Sequence, residues 1–278
     1  MSEHLQDKVI IITGAGSGFG RLVAEKCAAR GARIVGVDVD AANLQTVIDG
    51  IVAAGGDAIA QPADVTDAEQ MHAAARRAVE KYGAVDVLVN NAGVMPLAYF
   101  ADHAKAADKW DGAIDINIKG VVHGISAVHD QMIAQGRGHV VNISSIYGNA
   151  GIAGSGVYSA TKAAVNVLSD SLRIESKGKI KVSTVRPTGI TGTNLASWIV
   201  NDTAIFGLVG QRQQEYAEHA TAMIEERLPE ALTDVDSIEY WLIKPDDLAD
   251  AVVHVIDQPW GISLSDVTVR ASGEDYLY

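Results

Sequence analysis

The stretch KVIIITGAGSGFG, residues 8–20, joins a run of β-branched apolar residues to a turn that holds four glycines. The run 8–13 is apolar at nearly every position, which predicts a strand that is buried on both faces. Residues 18–30 have the composition and spacing of a helix. The chain therefore passes from a buried strand into a helix through the glycines Gly14, Gly16, Gly18 and Gly20.

Glycines at such a junction let the backbone turn tightly and approach an anion closely, and the amides and dipole of the following helix favour a phosphate. The G-x-x-x-G-x-G spacing of Gly14, Gly18 and Gly20 predicts that the turn binds the pyrophosphate of a dinucleotide. Ser17 and Phe19 belong to the same turn, and we expect them to contact the cofactor as well. The alternative is a turn that only needs positive φ angles. The position between a strand and a helix favours dinucleotide binding.

Strands and helices alternate along the rest of the chain. The predicted strands are 8–13, 32–38, 57–65, 85–90, 138–144, 180–186 and 266–272. The predicted helices are 18–30, 41–54, 67–82, 108–135, 157–176 and 246–257. This alternation implies right-handed crossovers and a parallel sheet covered on both faces. We expect an α/β, doubly wound Rossmann fold with a seven-stranded parallel sheet, whose ligands bind at the carboxyl ends of the strands.

No linker or low-complexity segment divides the chain, so we predict a single domain over residues 1–278. Residues 187–245 interrupt the alternation, because they contain no convincing strand. A segment of this length within a compact domain is typical of a lid or binding element. We therefore expect residues 187–245 to form a substrate lid.

The end of the second strand indicates which dinucleotide is bound. Asp38, twenty-four residues beyond Gly14, can accept hydrogen bonds from the adenosine ribose of NAD and would repel the 2′-phosphate of NADP. The alternative is that Asp38 or Asp40 caps the helix that starts near Ala41. We assign the cap to Asp40 and the ribose to Asp38. No arginine or lysine lies within 14–20 or 34–40, so NAD is the expected cofactor.

Composition excludes several classes of function. The formal net charge of −13 argues against binding to nucleic acid or to an anionic membrane. Cys27 is the only cysteine, so no internal disulfide can form and a reducing compartment fits. The polar N-terminal residues and the lack of any long apolar stretch predict a cytoplasmic protein without membrane attachment. No metal site is predicted, since there is no metal-ligand grouping among His123, His129, His219 and His254.

Five motifs occur in a fixed order along the chain. They are TGAGSGFG (13–20), NNAG (90–93), Asn117 within DINIKG, NISS (142–145) and YSATK (158–162). Together they resemble the short-chain dehydrogenase/reductase family, and the resemblance covers nearly the whole chain. It implies hydride transfer between a nicotinamide and a carbinol or carbonyl carbon. It also implies a homo-oligomer, a tetramer or dimer, in which helices 108–135 and 157–176 pair across subunits.

The resemblance assigns the catalytic roles. Tyr158 matches the proton donor or acceptor, and Lys162 matches the residue that holds the nicotinamide ribose and lowers the pKa of the tyrosine. One helical turn separates the two, and a nearby ammonium favours the phenolate. Ser145, thirteen positions before Tyr158, matches the serine that binds the same substrate oxygen. Asn117 matches the residue that shapes its helix and supports a proton-relay water.

The resemblance also assigns cofactor contacts. Asp64 and Val65 match a pair that touches the adenine. Asn91, Ala92 and Gly93 match the segment that lies along the adenosine ribose and the floor of the cofactor site. Asn90 and Asn91 have a structural alternative, because asparagines in turns often bind backbone groups.

The segment RPTGITGT, residues 186–193, departs from the family pattern. The family has Pro-Gly after the sixth strand and a threonine four residues beyond that glycine. If Thr188 is a one-residue insertion, the family spacing is recovered. The residues then expected around the nicotinamide are Pro187, Gly189, Ile190, Thr191 and Thr193.

Aromatic side chains make up only 5% of the chain, and most fall in segments expected around the open end of the cleft. They are Tyr99, Phe100, Tyr147, Trp198, Phe206, Tyr216, Tyr240 and Trp241. They predict a neutral, apolar or aromatic secondary alcohol or ketone as the substrate. The alternative is that they pack a lid or a subunit interface. Beyond Val200 the lid is rich in acidic residues, which disfavours phosphorylated substrates.

Two other functions remain as alternatives. An NADPH-dependent 3-oxoacyl reductase of the same family is disfavoured by Asp38 and by the acidic lid. A non-catalytic module that senses NAD(H) would not need Ser145, Tyr158 and Lys162 together.

Overall fold

Parallel strands form one sheet in the computed structural model, which describes residues 4–190 and 194–277. The strands are β1 (Val9–Thr13), β2 (Arg33–Asp38), β3 (Asp57–Pro62), β4 (Val87–Asn90), β5 (Gly138–Ile143), β6 (Ile180–Pro187) and β7 (Asp266–Val269). Within the described residues the sheet has seven strands in the order β3-β2-β1-β4-β5-β6-β7. This confirms the predicted doubly wound, seven-stranded parallel sheet.

Ten α-helices surround the sheet within the described ranges. They are α1 (Gly18–Ala29), α2 (Ala41–Ala53), α3 (Ala68–Tyr82), α4 (His103–Ile114), α5 (Gly120–Ala134), α6 (Gly156–Glu175), α7 (Phe206–Val209), α8 (Gln213–Ile224), α9 (Glu230–Thr233) and α10 (Pro245–Ile256). Helices α1, α2 and α10 cover one face of the sheet, and α3, α5 and α6 cover the other.

Strand β1 shows why its sequence is apolar at consecutive positions. Ile10 and Ile12 pack under α1, α2 and α10, whereas Val9 and Ile11 pack under α3 and α5. Because successive side chains of a strand point to opposite faces, a strand covered on both sides needs apolar residues throughout. The strand ends at Thr13, between β2 and β4, where the direction of winding reverses. A crevice opens at this point in doubly wound sheets.

The predicted helix 108–135 differs from the structure. Helix α4 already begins at His103, and a π-helical turn at Asp115–Lys119 separates it from α5. Helical composition continues through the break, so periodicity alone does not reveal it. The turn buries Asn117, which is 1% exposed.

The long segment after β6 consists of short helices and turns. Its first and last parts meet, because Ile190 forms an isolated parallel β-bridge with Ile243. The acidic residues of the segment are exposed, including Glu215, Glu218 and Glu225. None of the helices in the described part of the chain has both the length and the hydropathy needed to cross a bilayer.

Candidate active site

Three adjoining cavities follow the carboxyl edge of the sheet. The first, of about 380 Å³, extends between Gly14, Asp38 and Val65. The second, of about 210 Å³, lies in front of the glycine turn, and the third, of about 330 Å³, lies beside Tyr158. Gly93 lines all three cavities. Together they form one cleft with the elongated outline that a dinucleotide and a small second ligand require.

The glycine turn is built to face an anion. Ser17 precedes α1 and makes no side-chain cap, so the first amides of the helix are available. Gly18 has a φ of 54°, and a Cβ built there would have no neighbouring protein atom within 4 Å. A Cβ on Gly20 would lie 2.3 Å from the carbonyl oxygen of Gly14, so only glycine allows this close approach. The free amides and the open space fit a pyrophosphate.

Asn91 holds the glycine turn in place. Its side-chain amide donates to the carbonyl oxygens of Thr13 at 2.7 Å and Gly14 at 3.2 Å. Asn90 is buried and donates to Asn142 at 2.8 Å, which ties β4 to β5. Both asparagines therefore have structural roles, while Asn91 also lines the cleft.

Asp38 and Asp40, at the end of β2 and just after it, make different contacts. Asp40 caps α2 by accepting from the amide of Asn43 at 3.0 Å. The Asp38 carboxylate accepts from the amides of Gly16 at 2.8 Å and of Asp40 at 3.0 Å, which orients it at the edge of the first cavity. The assignment of the helix cap to Asp40 is confirmed.

The first cavity is acidic. Asp38, Asp64 and Asp115 line it, and no lysine or arginine does so among the described residues. The Asp64 carboxylate accepts from the amide and the hydroxyl of Thr66, both at 2.8 Å. The cavity thus offers acceptors for hydroxyl groups and no cation for a phosphate.

Tyr158 and Lys162 stand one turn apart on α6 and are both buried beside the third cavity. The Lys162 ammonium donates to the carbonyl oxygen of Ile143 at 2.9 Å and lies 5.8 Å from the centre of the Tyr158 ring. The phenol and the ammonium thus lie together at the cavity wall.

The structure distinguishes the two serines at the end of β5. The Ser144 hydroxyl donates to the carbonyl oxygen of Lys162 at 3.1 Å, so its proton is already used. The Ser145 oxygen accepts from the amide of Tyr147 at 3.3 Å, which leaves its own proton free to donate. Ser145 is therefore the serine available to a ligand oxygen in the third cavity.

Burial dominates the electrostatics of this group. Burial raises the pKa of Tyr158 above its usual value, and the Ser145 hydroxyl acts in the opposite direction. Burial also lowers the pKa of Lys162 from 10.5 to about 8. Burial therefore sets the direction of the Tyr158 pKa in this structure, and the lowering of this pKa by Lys162 stays a prediction.

Asn117 does not line any of the three cavities. Its side-chain oxygen accepts from the amide of Val94 at 2.9 Å, and its side-chain nitrogen donates to the Val94 carbonyl at 2.9 Å and to Thr161 at 3.1 Å. It therefore joins the π-helical turn to the loop after β4 and to α6. These contacts show how it positions the site, and a proton-relay water stays a prediction.

All other predicted site residues that the structure describes line the cleft. The first two cavities include Gly14, Ser17, Gly18, Phe19, Gly20, Asp38, Asp64, Val65, Asn91, Ala92 and Gly93. The third includes Ser145, Tyr158, Lys162, Pro187, Gly189 and Ile190. The predicted contacts Thr191 and Thr193 lie outside the described residues. Within 4–190 and 194–277, no group of three or more potential metal ligands is found.

The predicted aromatic residues lie in different places. Tyr147 and Tyr216 line the third cavity, and Trp198 lines the second. Tyr240 and Trp241 are buried behind the wall, where the Trp241 ring lies 5.5 Å from the Tyr216 ring. Phe100 is 72% exposed. Its ring packs against Trp110.

Tyr276 is a wall residue that the sequence analysis missed. It is 7% exposed and lines the third cavity. A Cβ on Gly189 would lie 2.0 Å from its hydroxyl, so this glycine makes room for the phenol. The aromatic tail DYLY, residues 275–278, was the available signal.

Comparisons with known proteins agree with this site. Residues 8–203 match the family model described as short chain dehydrogenase. The chain is 34% identical over 272 residues to an uncharacterised oxidoreductase of Listeria monocytogenes, covering 98% of this chain and 99% of the relative.

Two solved structures are similar. A short-chain dehydrogenase/reductase from Burkholderia phymatum in complex with NAD has a TM-score of 0.74 and 28% identity, and the match covers 95% of this chain and 89% of that one. A metagenomic short-chain oxidoreductase in complex with NADP has a TM-score of 0.71 and 29% identity, and the match covers 96% and 98%. Similar structures thus hold either nucleotide.

Proposed function

Because the chain belongs to the short-chain dehydrogenase/reductase family and is an oxidoreductase of that type, we propose that it transfers hydride between NAD(H) and a secondary alcohol or ketone. The observation that carries the proposal is the burial of Ser145, Tyr158 and Lys162 around one cavity that adjoins the glycine turn. When bound, the nicotinamide accepts or returns the hydride, and its oxidised form brings a positive charge to the cavity.

The protein must move a proton at the substrate oxygen. Tyr158 donates this proton during reduction and accepts it during oxidation. Ser145 donates a hydrogen bond to the same oxygen, because its own oxygen is already oriented by the amide of Tyr147. Lys162 keeps a positive charge at this end of the cavity below about pH 8 and so favours the phenolate.

Two features support NAD over NADP. The Asp38 carboxylate is fixed by two backbone amides at the edge of the first cavity. Among the described residues that line this cavity there are three carboxylates and no cation. A 2′-phosphate placed there would meet like charges, whereas ribose hydroxyls would find acceptors.

The lining of the third cavity supports a neutral substrate with an apolar body. Met95, Ile199, Leu208 and Leu242 line it together with phenol rings. The acidic side chains of the lid segment are exposed to solvent, and their negative charge disfavours phosphorylated substrates and acidic carriers.

We also propose that the protein forms a homo-oligomer through the outer faces of α5 and α6. Val122 is 41% exposed, Val167 is 65% exposed and Ile174 is 77% exposed. Exposed apolar residues on the outer faces of two helices suit an interface between copies of the chain.

The test is a screen of secondary alcohols, diols, steroids, aryl ketones and 3-oxoacyl compounds with NAD(H) and NADP(H) in parallel. Turnover is measured by the absorbance of the reduced nicotinamide. We expect turnover of neutral substrates with NAD(H). Preference for NADPH and 3-oxoacyl compounds would support the alternative reductase. Tight NAD(H) binding without turnover of any substrate would support the sensing module.

Asp38→Asn is expected to shift the cofactor preference towards NADP. The change removes the charge but keeps the shape, so a charge-assisted bond to the ribose and the repulsion of a 2′-phosphate are both weakened. We expect the ratio of kcat/KM for NAD to that for NADP to fall by about 100-fold. The matched control is Asp40→Asn, which removes the same charge two residues away and retains a good helix cap. An unchanged ratio in Asp38→Asn would contradict the assigned role.

A further inference from the structure

Four phenol rings meet in the third cavity: Tyr147, Tyr158, Tyr216 and Tyr276. Three of the hydroxyls have a neighbouring polar group. Tyr158 interacts with Ser145, and Tyr216 and Tyr276 interact with each other. The role proposed above accounts for Tyr158 only. A purely apolar substrate would offer no hydrogen-bond partner to the other phenols of the wall.

Tyr147 differs from the other three phenols. It is 5% exposed, and its hydroxyl oxygen is buried without a hydrogen-bond partner among the described residues. A buried hydroxyl without a partner is costly, because it has lost its bonds to water and gained none in return. Burial raises the pKa of Tyr147, so the group stays a neutral donor. A ligand that supplies an acceptor would remove this cost.

The position of Tyr147 relates this unpaired donor to the reacting atoms. Its ring lies 5.3 Å from the Tyr158 ring, at an interplanar angle of 66°. Its backbone amide orients Ser145. A small molecule whose carbinol oxygen contacts Ser145 and Tyr158 is therefore next to Tyr147 as well.

The size of the cavity limits how far apart a carbinol oxygen and a second oxygen of the same substrate can be. Its volume is about 330 Å³, at the lower end of the range of ligand sites. Part of that space is lined by Pro187, Gly189 and Ile190, where we expect the nicotinamide. The remaining room suits one ring or a few carbon atoms. Two oxygens on such a molecule are on adjacent or nearby carbons of a small skeleton.

The charges at the cavity favour a second polar group on the substrate that is neutral. Lys162 is the one cation that lines the cavity among the described residues, and it is bonded to the Ile143 carbonyl. Behind the wall, the carboxylates of Glu274 and Asp275 are buried close to the phenols of Tyr276 and Tyr216. The Glu274 carboxylate is already paired with Arg270, and a carboxylate or phosphate on the substrate would find no cation other than Lys162 in the described lining of this cavity.

We propose that the Tyr147 hydroxyl donates a hydrogen bond to a second, neutral oxygen of the substrate, so that the substrates are small diols, hydroxyketones or diketones rather than alcohols with a single oxygen. The assignment rests on the proposed alcohol or ketone oxidoreductase function and narrows its substrate class. Tyr147 is a specificity-determining residue in this scheme, whereas Tyr158 moves the proton.

The test compares cyclohexanol with cyclohexane-1,2-diol and cyclohexane-1,3-diol on the wild-type protein and on Tyr147→Phe. Dissociation constants are measured by calorimetry with NADH present, because alcohols cannot be oxidised by the reduced cofactor. The same compounds are then assayed for turnover with NAD. We expect at least one diol to bind to the wild type about tenfold more tightly than cyclohexanol does. In Tyr147→Phe, we expect that diol and cyclohexanol to bind equally tightly. Cyclohexanol binding should be the same in both proteins.

A thermal melt separates this role from a structural one. Because the hydroxyl has no partner to lose, Tyr147→Phe is expected to keep or raise the Tm. The control Tyr82→Phe removes a hydroxyl that donates to Asp57 at 2.8 Å, far from the cleft, and should keep the diol preference.

Three results would overturn the inference: no diol preference in the wild type, a preference that persists in Tyr147→Phe, or a clear fall in the Tm of that variant. Failure of the proposed function has a different signature, namely no turnover of any compound with NAD or NADP. The dissociation constants with NADH then still decide whether Tyr147 recognises a second oxygen.

Discussion

Tyr158→Phe is expected to lower kcat by about 1,000-fold, within the range that positioned proton transfer contributes. The variant loses the phenol hydroxyl that interacts with Ser145 and shares the third cavity with Lys162. Its ring still fills the same buried position, so the cavity and the cofactor cleft keep their shape. We therefore expect the dissociation constant for NADH to change by less than about threefold, measured by the fluorescence of the bound cofactor.

The control for this experiment is again Tyr82→Phe, whose hydroxyl bonds to Asp57 away from the cleft. It should retain full turnover. A Tyr158→Phe variant with near wild-type kcat would remove the basis of the proposed mechanism. Loss of NADH binding along with turnover would instead assign Tyr158 a role in holding the cofactor.

Lys162→Met is expected to lower kcat by about 100-fold and, at the same time, to make the protein more stable at pH 7. Methionine fills a similar volume without a charge. In the wild type, burial lowers the pKa of Lys162 from 10.5 to about 8, and this difference corresponds to roughly 3 kcal/mol. Loss of the bond to the Ile143 carbonyl costs about 1 to 2 kcal/mol. The expected net gain in the free energy of unfolding is about 1 to 2 kcal/mol.

The expected gain in the free energy of unfolding of Lys162→Met decreases as the pH rises. Between about pH 8 and 10.5 the folded protein has released the Lys162 proton, while the unfolded chain still binds it. The unfolded state then binds more protons, so the Lys162 contribution to wild-type stability rises with pH over this window. The advantage of Lys162→Met should be complete below about pH 8 and decrease towards pH 10.5.

Urea unfolding at pH 7 and at pH 10 measures this difference. The control is Lys105→Met on the exposed face of α4, which removes the same charge without relieving burial. It should leave both stability and turnover nearly unchanged. A destabilised Lys162→Met variant at pH 7 would show that the ammonium is better compensated than its burial indicates.

Local chemistry explains why much of the fold and cleft could be predicted. The consecutive apolar residues of β1 are only compatible with a sheet covered on both faces, and the structure has that sheet. Asp40 could be separated from Asp38 because a helix cap must directly precede its helix. In both cases, a short stretch of sequence carries the pattern that predicts the outcome.

Long-range packing explains what could not be predicted. The π-helical turn at Asp115–Lys119 depends on the bonds of Asn117 to Val94 and Thr161, which are distant in sequence. Tyr276 reaches the cavity because Gly189 leaves space for its hydroxyl. The sequence does not indicate that these two residues are neighbours. Tyr147 was recognised as an aromatic near the cleft, but its unpaired hydroxyl is visible only in the structure.

The β-bridge between Ile190 and Ile243 has an evolutionary consequence. The chain leaves and rejoins the body of the protein at neighbouring residues, just after β6 and just before α10. A segment of different length or sequence can therefore be grafted between these two anchor points without displacing the strand or the helix. Since Ser145, Tyr158 and Lys162 lie outside this segment, we expect its replacement during evolution to change part of the wall of the third cavity and to leave the proposed catalytic residues in place.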